Sequence, residues 1–91
     1  DGLRAIVGVR NFRLIRERVE RVLTVSDDEI RKAMLLTWEK LKLLIEPSSA
    51  TVIAAILKQP EIFGGRTVGA ILSGGNIHPA DWLGLTGSRA E

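Results

Sequence analysis

From Asn11 onward the apolar residues Phe12, Ile15, Val19 and Val22 recur at helical spacing, while Arg13, Arg16, Glu17, Glu20 and Arg21 occupy the other faces. The spacing predicts a short amphipathic helix. The brief β-branched run Val22 to Val25 stops at Ser26, which begins "SDDE". A serine with Glu29 three residues on forms a capping box, and Asp27 and Asp28 stand near the positive end of the helix dipole, so a helix starts at Ser26. Ile30, Ala33, Met34, Thr37, Trp38, Leu41 and Leu44 or Ile45 then mark one face at steps of three and four. That face predicts about five helical turns. Pro47 disfavours helical geometry at Glu46, and Ser48 or Ser49 can cap a further helix, "SATVIAAILKQ", which has almost no polar face and so reads as buried on most sides. In "QPEIFGGR", Pro60, Gly64 and Gly65 signal a loop. Thr67 to Leu72 follows as a short, continuously apolar run, the pattern of a strand covered on both faces as in a parallel sheet. The expectation is an α/β architecture with helices packed on a mostly parallel open sheet, although such a strand needs neighbours that this chain barely has.

That run ends in Ser73, Gly74, Gly75 and Asn76. In open α/β sheets ligands collect beyond the carboxyl ends of the strands, where these residues would lie. Two glycines allow positive φ and close approach of a flat ligand, and Ser73 offers a hydroxyl that donates one hydrogen bond and accepts others. A plain turn also ends in such residues, and spacing alone leaves both readings open. Asn76 can lock the turn through side-chain bonds to its own backbone.

Composition narrows the classes. The 91 residues make one domain at most, with no repeat, low-complexity tract or internal boundary. With 45% hydrophobic but only 4% aromatic residues, Leu, Ile, Val and Ala must fill the core. Thirteen basic and eleven acidic residues leave a net charge of +2, too little to name nucleic acid or an anionic membrane as partner. The densest basic stretch, "RNFRLIRERVER", is interrupted by Glu17 and Glu20 and reads as a solvated helix face. There is no cysteine, hence no disulfide or thiolate chemistry, and no apolar run of the about 18 residues that a membrane span needs. A cytoplasmic, soluble protein is expected. His78, in a loop before a proline, reads as a surface residue, and no metal ligand is assigned. Lys32, Lys40, Lys42 and Lys58 fall on charged helical faces or a helix end, whereas a catalytic lysine needs a desolvated pocket. The chain opens at Asp1 without methionine, so it reads as part of something longer.

"LLIEPSSATVIAAIL" followed by "RTVGAILSGGNI" resembles the paired C-terminal motifs of the serine/threonine dehydratase and serine racemase family of pyridoxal-phosphate enzymes, of fold type II (tryptophan-synthase β-like). "DGLRAIVG" and "VLTVSDDEIRKAMLLTWEKLKLLIEPS" are similar to the same family in the same order, so the resemblance covers nearly the whole chain. It implies that residues 1–91 are a C-terminal segment of the coenzyme-binding catalytic domain, the N-terminal remainder being absent. It also implies pyridoxal 5'-phosphate as cofactor, with Ser73 facing the pyridine nitrogen, Gly74 in the same turn, Gly2 near the ring and Glu46 at the pocket edge. A capping or solvated carboxylate is the alternative for Glu46. Ala5 falls where some relatives carry a polar residue facing substrate, which weakens any preference for a distal carboxylate. The family's Schiff-base lysine, phosphate loop and substrate-carboxylate loop match nothing in this chain, so no catalytic residue is assigned within it.

The activity the resemblance implies is that of an ammonia-lyase: L-threonine or L-serine is dehydrated by β-elimination to a 2-oxo acid and ammonia, in a homodimer built with the remainder of the enzyme. A serine racemase, or a dehydratase for hydroxyaspartate or phenylserine, shares the motifs. From another class, a non-catalytic interaction module would present Ile30, Met34, Trp38 and Leu41 to a partner.

Overall fold

A computed structural model describes residues 7–87, and the elements among them are helical throughout: α1 (Val9–Arg18), α2 (Asp27–Leu41), α3 (Pro47–Lys58), α4 (Pro60–Phe63) and α5 (Pro79–Gly87). Gly2 and Ala5 lie outside the described residues. No helix among those described is long and apolar enough to cross a membrane.

α2 begins where the capping box places it. The Glu29 N–H donates to Ser26 Oγ at 3.1 Å, and the Ser26 N–H donates to Glu29 Oε1 at 2.7 Å. That backbone donor is the foremost reason the Glu29 carboxyl titrates below its usual range; Lys58 Nζ, 3.5 Å away, adds to the effect. A carboxyl depressed in the folded state contributes stability above its unfolded pKa and loses it as the pH falls through the folded pKa. Ser26→Ala is expected to cost about 1 kcal/mol. Melting of wild type and Ser26→Ala should therefore differ at neutral pH and in acid alike, because the variant keeps the Ser26 N–H that holds Glu29. Glu29→Gln is the variant whose difference from wild type should shrink in acid as Glu29 protonates.

The other end of α2 departs from expectation. The helix stops at Leu41, because Lys42 adopts the left-handed conformation (φ 58°, ψ 37°) while its N–H still bonds the Trp38 carbonyl at 2.9 Å. Residues 42–46 are not helical and lead to Pro47. Ile45 is buried all the same, entering the core from this connection rather than from a helical face. Pro47 occupies the first turn of α3 with Glu46 as the extended N-cap, so Ser48 and Ser49 lie inside the helix and cap nothing. Proline's fixed φ and missing N–H favour that position.

The core is Ala33 and Met34 of α2, Ile45, Ala50 and Ala54 of α3, and Trp82 of α5. Alanines on both α2 and α3 bring the helix axes close, and this pair is the main contact of the fold. α3 is less enclosed than its sequence implies, since Leu57 is exposed. Trp82 packs edge-on against Trp38 with centroids 6.0 Å apart, holding α5 on α2. The buried hydroxyls of Thr37 and Thr86 donate to the carbonyls of Ala33 and Trp82, each at 2.8 Å, so neither is left unpaired. α1 forms as an amphipathic helix but packs on no other helix among the described residues, and Val9 and Phe12 are exposed.

The expected parallel sheet is not found among the described residues. Thr67 to Leu72 pairs with no other strand; Ile71 is 83% exposed, and only Leu72 reaches the core. A strand is stabilised by cross-strand bonds and side-chain pairs, and nothing in residues 7–87 supplies a neighbour.

The interaction-module reading needed one free face on α2. Met34 is fully buried and Ile30 packs on the core, whereas Trp38 and Leu41 at the other end of that face are exposed, so the fold itself occupies half of it.

Candidate functional site

The site is built where the N-terminus of α3 meets the Ser73 to Asn76 turn. With Pro47 as first helical residue, Ser49 falls in the first turn of α3, and its side chain, 1% exposed, crosses to the turn. Ser49 Oγ donates to the Gly74 carbonyl at 2.6 Å and accepts the Gly74 N–H at 2.8 Å. It also lies 3.2 Å from Ser73 Oγ. The Glu46 N–H adds a longer contact, 3.4 Å, to the same carbonyl, and the Ile77 N–H closes the turn onto the Gly75 carbonyl at 2.7 Å. Both main-chain polar groups of Gly74 are thus paired.

The glycines serve close approach, not unusual dihedrals. Among the described residues only Gly65 is a glycine with positive φ, 75°. A Cβ on Gly75 would lie 2.5 Å from the Leu44 carbonyl oxygen, and one on Gly74 would lie 3.2 Å from Glu46 Oε1. The expected positive φ at Gly74 and Gly75 is therefore replaced by a steric requirement set by the 44–46 backbone and the Glu46 carboxylate.

Of the four residues given a coenzyme role, Ser73, Gly74 and Glu46 come together here, while Gly2 lies outside the described residues. Ser73 is exposed, with Ser49 as its hydroxyl's partner; Glu46 is half-buried and makes no capping bond. A cleft of about 410 Å³ opens beside the turn, lined by Glu46, Pro47, Ser48, Asn76, His78 and Asp81 among others. Asn76 makes no side-chain hydrogen bond among the described residues, so the turn is locked by Ser49 instead. His78 is exposed, and its Nδ1 accepts the Ala80 N–H at 3.2 Å at the start of α5. Lys32, Lys40, Lys42 and Lys58 are all exposed. No group of three or more metal-ligating side chains gathers among the described residues.

The tie from Ser49 to the turn is what the sequence reading of Ser49 as a candidate cap misses. Its signal was present: a proline that starts a helix moves the cap to the residue before it, which leaves a serine two positions after the proline free to bond elsewhere.

These donors suit one end of an aromatic coenzyme. An exposed neutral hydroxyl beside a glycine cradle fits a ring edge with a nitrogen acceptor. The Gly74 N–H is already taken by Ser49 Oγ and is not free to cradle a phosphate, so the fit is to the ring edge.

Comparison with known proteins agrees with this chemistry. Residues 1–74 match the family model described as pyridoxal-phosphate dependent enzyme. The chain is 49% identical over 79 residues to a serine racemase of Dictyostelium discoideum, covering 85% of this chain and 24% of that protein. It is 43% identical over 77 residues to the beta-hydroxyaspartate dehydratase of Paracoccus denitrificans, with the same coverage, 85% and 24%. It is 42% identical over 85 residues to the L-threo-3-hydroxyaspartate ammonia-lyase of Saccharomyces cerevisiae, covering 93% of this chain and 26% of that one. The chain spans about a quarter of the length of these curated relatives.

Proposed function

We propose a function from one premise: this chain belongs to the family of pyridoxal-phosphate dependent enzymes, and pyridoxal phosphate is its coenzyme. Residues 1–91 then form a C-terminal segment of the coenzyme-binding domain, and polypeptide outside this chain supplies the lysine anchor and the phosphate loop. The quarter-length coverage supports this, as do the unpaired 67–72 run and the exposed Val9, Phe12 and Ile71, which such polypeptide would cover. In that setting the 67–72 run becomes a strand of an α/β sheet.

Ser73 would meet the ring nitrogen, the Gly74 backbone would lie along the ring, and Glu46 would close the pocket edge. Bound there, the coenzyme supplies an electron sink for breaking the Cα–H bond of an amino acid. The residue at the nitrogen sets how strong that sink is. A carboxylate would hold the nitrogen protonated, whereas the neutral Ser73 hydroxyl donates to an unprotonated nitrogen and keeps the sink weaker. A weaker sink suits prompt departure of a β-hydroxyl.

The activity we propose is dehydration of L-threonine or L-serine to a 2-oxo acid and ammonia, and the observation that carries it is the neutral Ser73 hydroxyl on a turn pinned to α3. The relatives' names favour a second reading within the same substrate class: racemisation of serine, or elimination from 3-hydroxyaspartate. The test is full-length protein loaded with pyridoxal phosphate and given L-threonine, L-serine and 3-hydroxyaspartate, with 2-oxo acid, ammonia and D-serine all measured. Oxo acid from threonine or serine supports the first reading, and D-serine or hydroxyaspartate turnover alone moves it to the second. Absence of the coenzyme's visible absorbance would sink both. Ser73→Ala is expected to lower turnover by about tenfold or more, the effect of losing one hydrogen bond to the ring.

A further inference from the structure

Proton counting at Ser49 fixes a direction that distances alone leave open. The Gly74 carbonyl can only accept, so at 2.6 Å it takes the single hydroxyl proton of Ser49. The Gly74 N–H, at 2.8 Å, uses one of the two lone pairs on Ser49 Oγ. The contact to Ser73 Oγ can then be filled only by the Ser73 proton, so Ser73 donates and Ser49 accepts. At 3.2 Å this bond lies beyond the usual range for O–H···O, and it is the weakest of the three. The Ser73 proton therefore rests on a buried acceptor that it can leave by rotating about its own Cβ–Oγ bond. The two shorter bonds do not change when it does so.

From this we infer that Ser49 is the positioning residue of the coenzyme site: it clamps the Gly74 peptide and holds the Ser73 hydroxyl poised as a donor to a ring nitrogen. The inference deepens the proposed function and rests on the reading of Ser73 as the group that meets the ring. Ser49 touches neither coenzyme nor substrate in this scheme. It acts only through Ser73 and Gly74.

Full-length protein loaded with pyridoxal phosphate tests it through three variants, Ser49→Ala, Ser73→Ala and the double. Ser49→Ala removes the partner of the Gly74 N–H and leaves the Gly74 carbonyl only the longer contact from the Glu46 N–H, and it should weaken coenzyme binding by roughly 5- to 100-fold. It should also move the nitrogen NMR signal of ring-labelled coenzyme. Because both serines act through one bond to the ring, the losses in the double variant should fall well short of additive. Unchanged binding or an unchanged ring signal in Ser49→Ala overturns the inference, and so do fully additive losses, which would make Ser49 a structural residue only. If Ser73→Ala itself leaves binding and ring signal as in wild type, the reading of Ser73 fails first, a distinguishable result. Hydrogen–deuterium exchange of wild type needs no variant to fold. The Gly74 amide should be protected both with and without coenzyme, and free exchange without it overturns the preformed clamp.

Discussion

In the full-length protein, Gly75→Ala is expected to weaken pyridoxal-phosphate binding by more than about tenfold and to lower stability by about 1–3 kcal/mol. The reason lies in what the new methyl group meets. Its carbon would stand 2.5 Å from the Leu44 carbonyl oxygen, a backbone atom in the connection between α2 and α3. That connection cannot retreat freely, since Ile45 is buried in the core and Pro47 fixes the start of α3. The turn must move instead, and its movement pulls Gly74 off Ser49 and breaks the 2.6 and 2.8 Å bonds. Gly74→Ala is the internal comparison. There the methyl group would lie 3.2 Å from Glu46 Oε1, the end of a flexible side chain that can yield by a few tenths of an ångström. Coenzyme titration of the two variants should rank Gly75→Ala well below Gly74→Ala. Equal, wild-type-like affinity in both would show that the cradle does not shape the site.

The sequence spelled out its local chemistry better than its tertiary partners. "SDDE" announced the start of α2 because a capping box is complete within four residues and needs nothing distant. The end of that helix was not legible: the apolar spacing runs on to Leu44 and Ile45, yet Lys42 takes a left-handed conformation that carries no sequence signal when the residue is not glycine. The 67–72 run shows the opposite limit. Its composition is that of a buried strand, but strand formation belongs to the pair, and residues 7–87 hold no partner for it. At the site, Ser73, Gly74 and Glu46 were identified through the motifs, and the structure brings all three to one turn. The buried tie that holds them, Ser49, has a sequence separation of 25 from Gly74, so the local pattern could free its hydroxyl from capping but could not name its partner.

Met34→Ala separates the scaffold from the site. Met34 is fully buried in a core with Ala33, Ile45, Ala50, Ala54 and Trp82, against which Ile30, Leu35 and Ile53 among others also pack, and such surroundings relax only in part around a void. Truncation there should cost about 2–5 kcal/mol, the transfer of the lost atoms plus the cavity they leave. Met34→Leu, which nearly conserves volume, should cost less than about 1.5 kcal/mol. Coenzyme affinity should respond differently. The clamp is made by Ser49, Gly74 and Ser73, and none of these bonds runs through Met34. Well below its lowered melting temperature, full-length Met34→Ala should therefore bind pyridoxal phosphate within about threefold of wild type, a difference below about 1 kcal/mol. Denaturant unfolding followed alongside coenzyme titration checks both halves. A variant as stable as wild type would remove Met34 from the centre of the core. One that loses affinity in proportion to stability would mean that the α2–α3 packing itself, and not the serine clamp, sets the geometry of the turn.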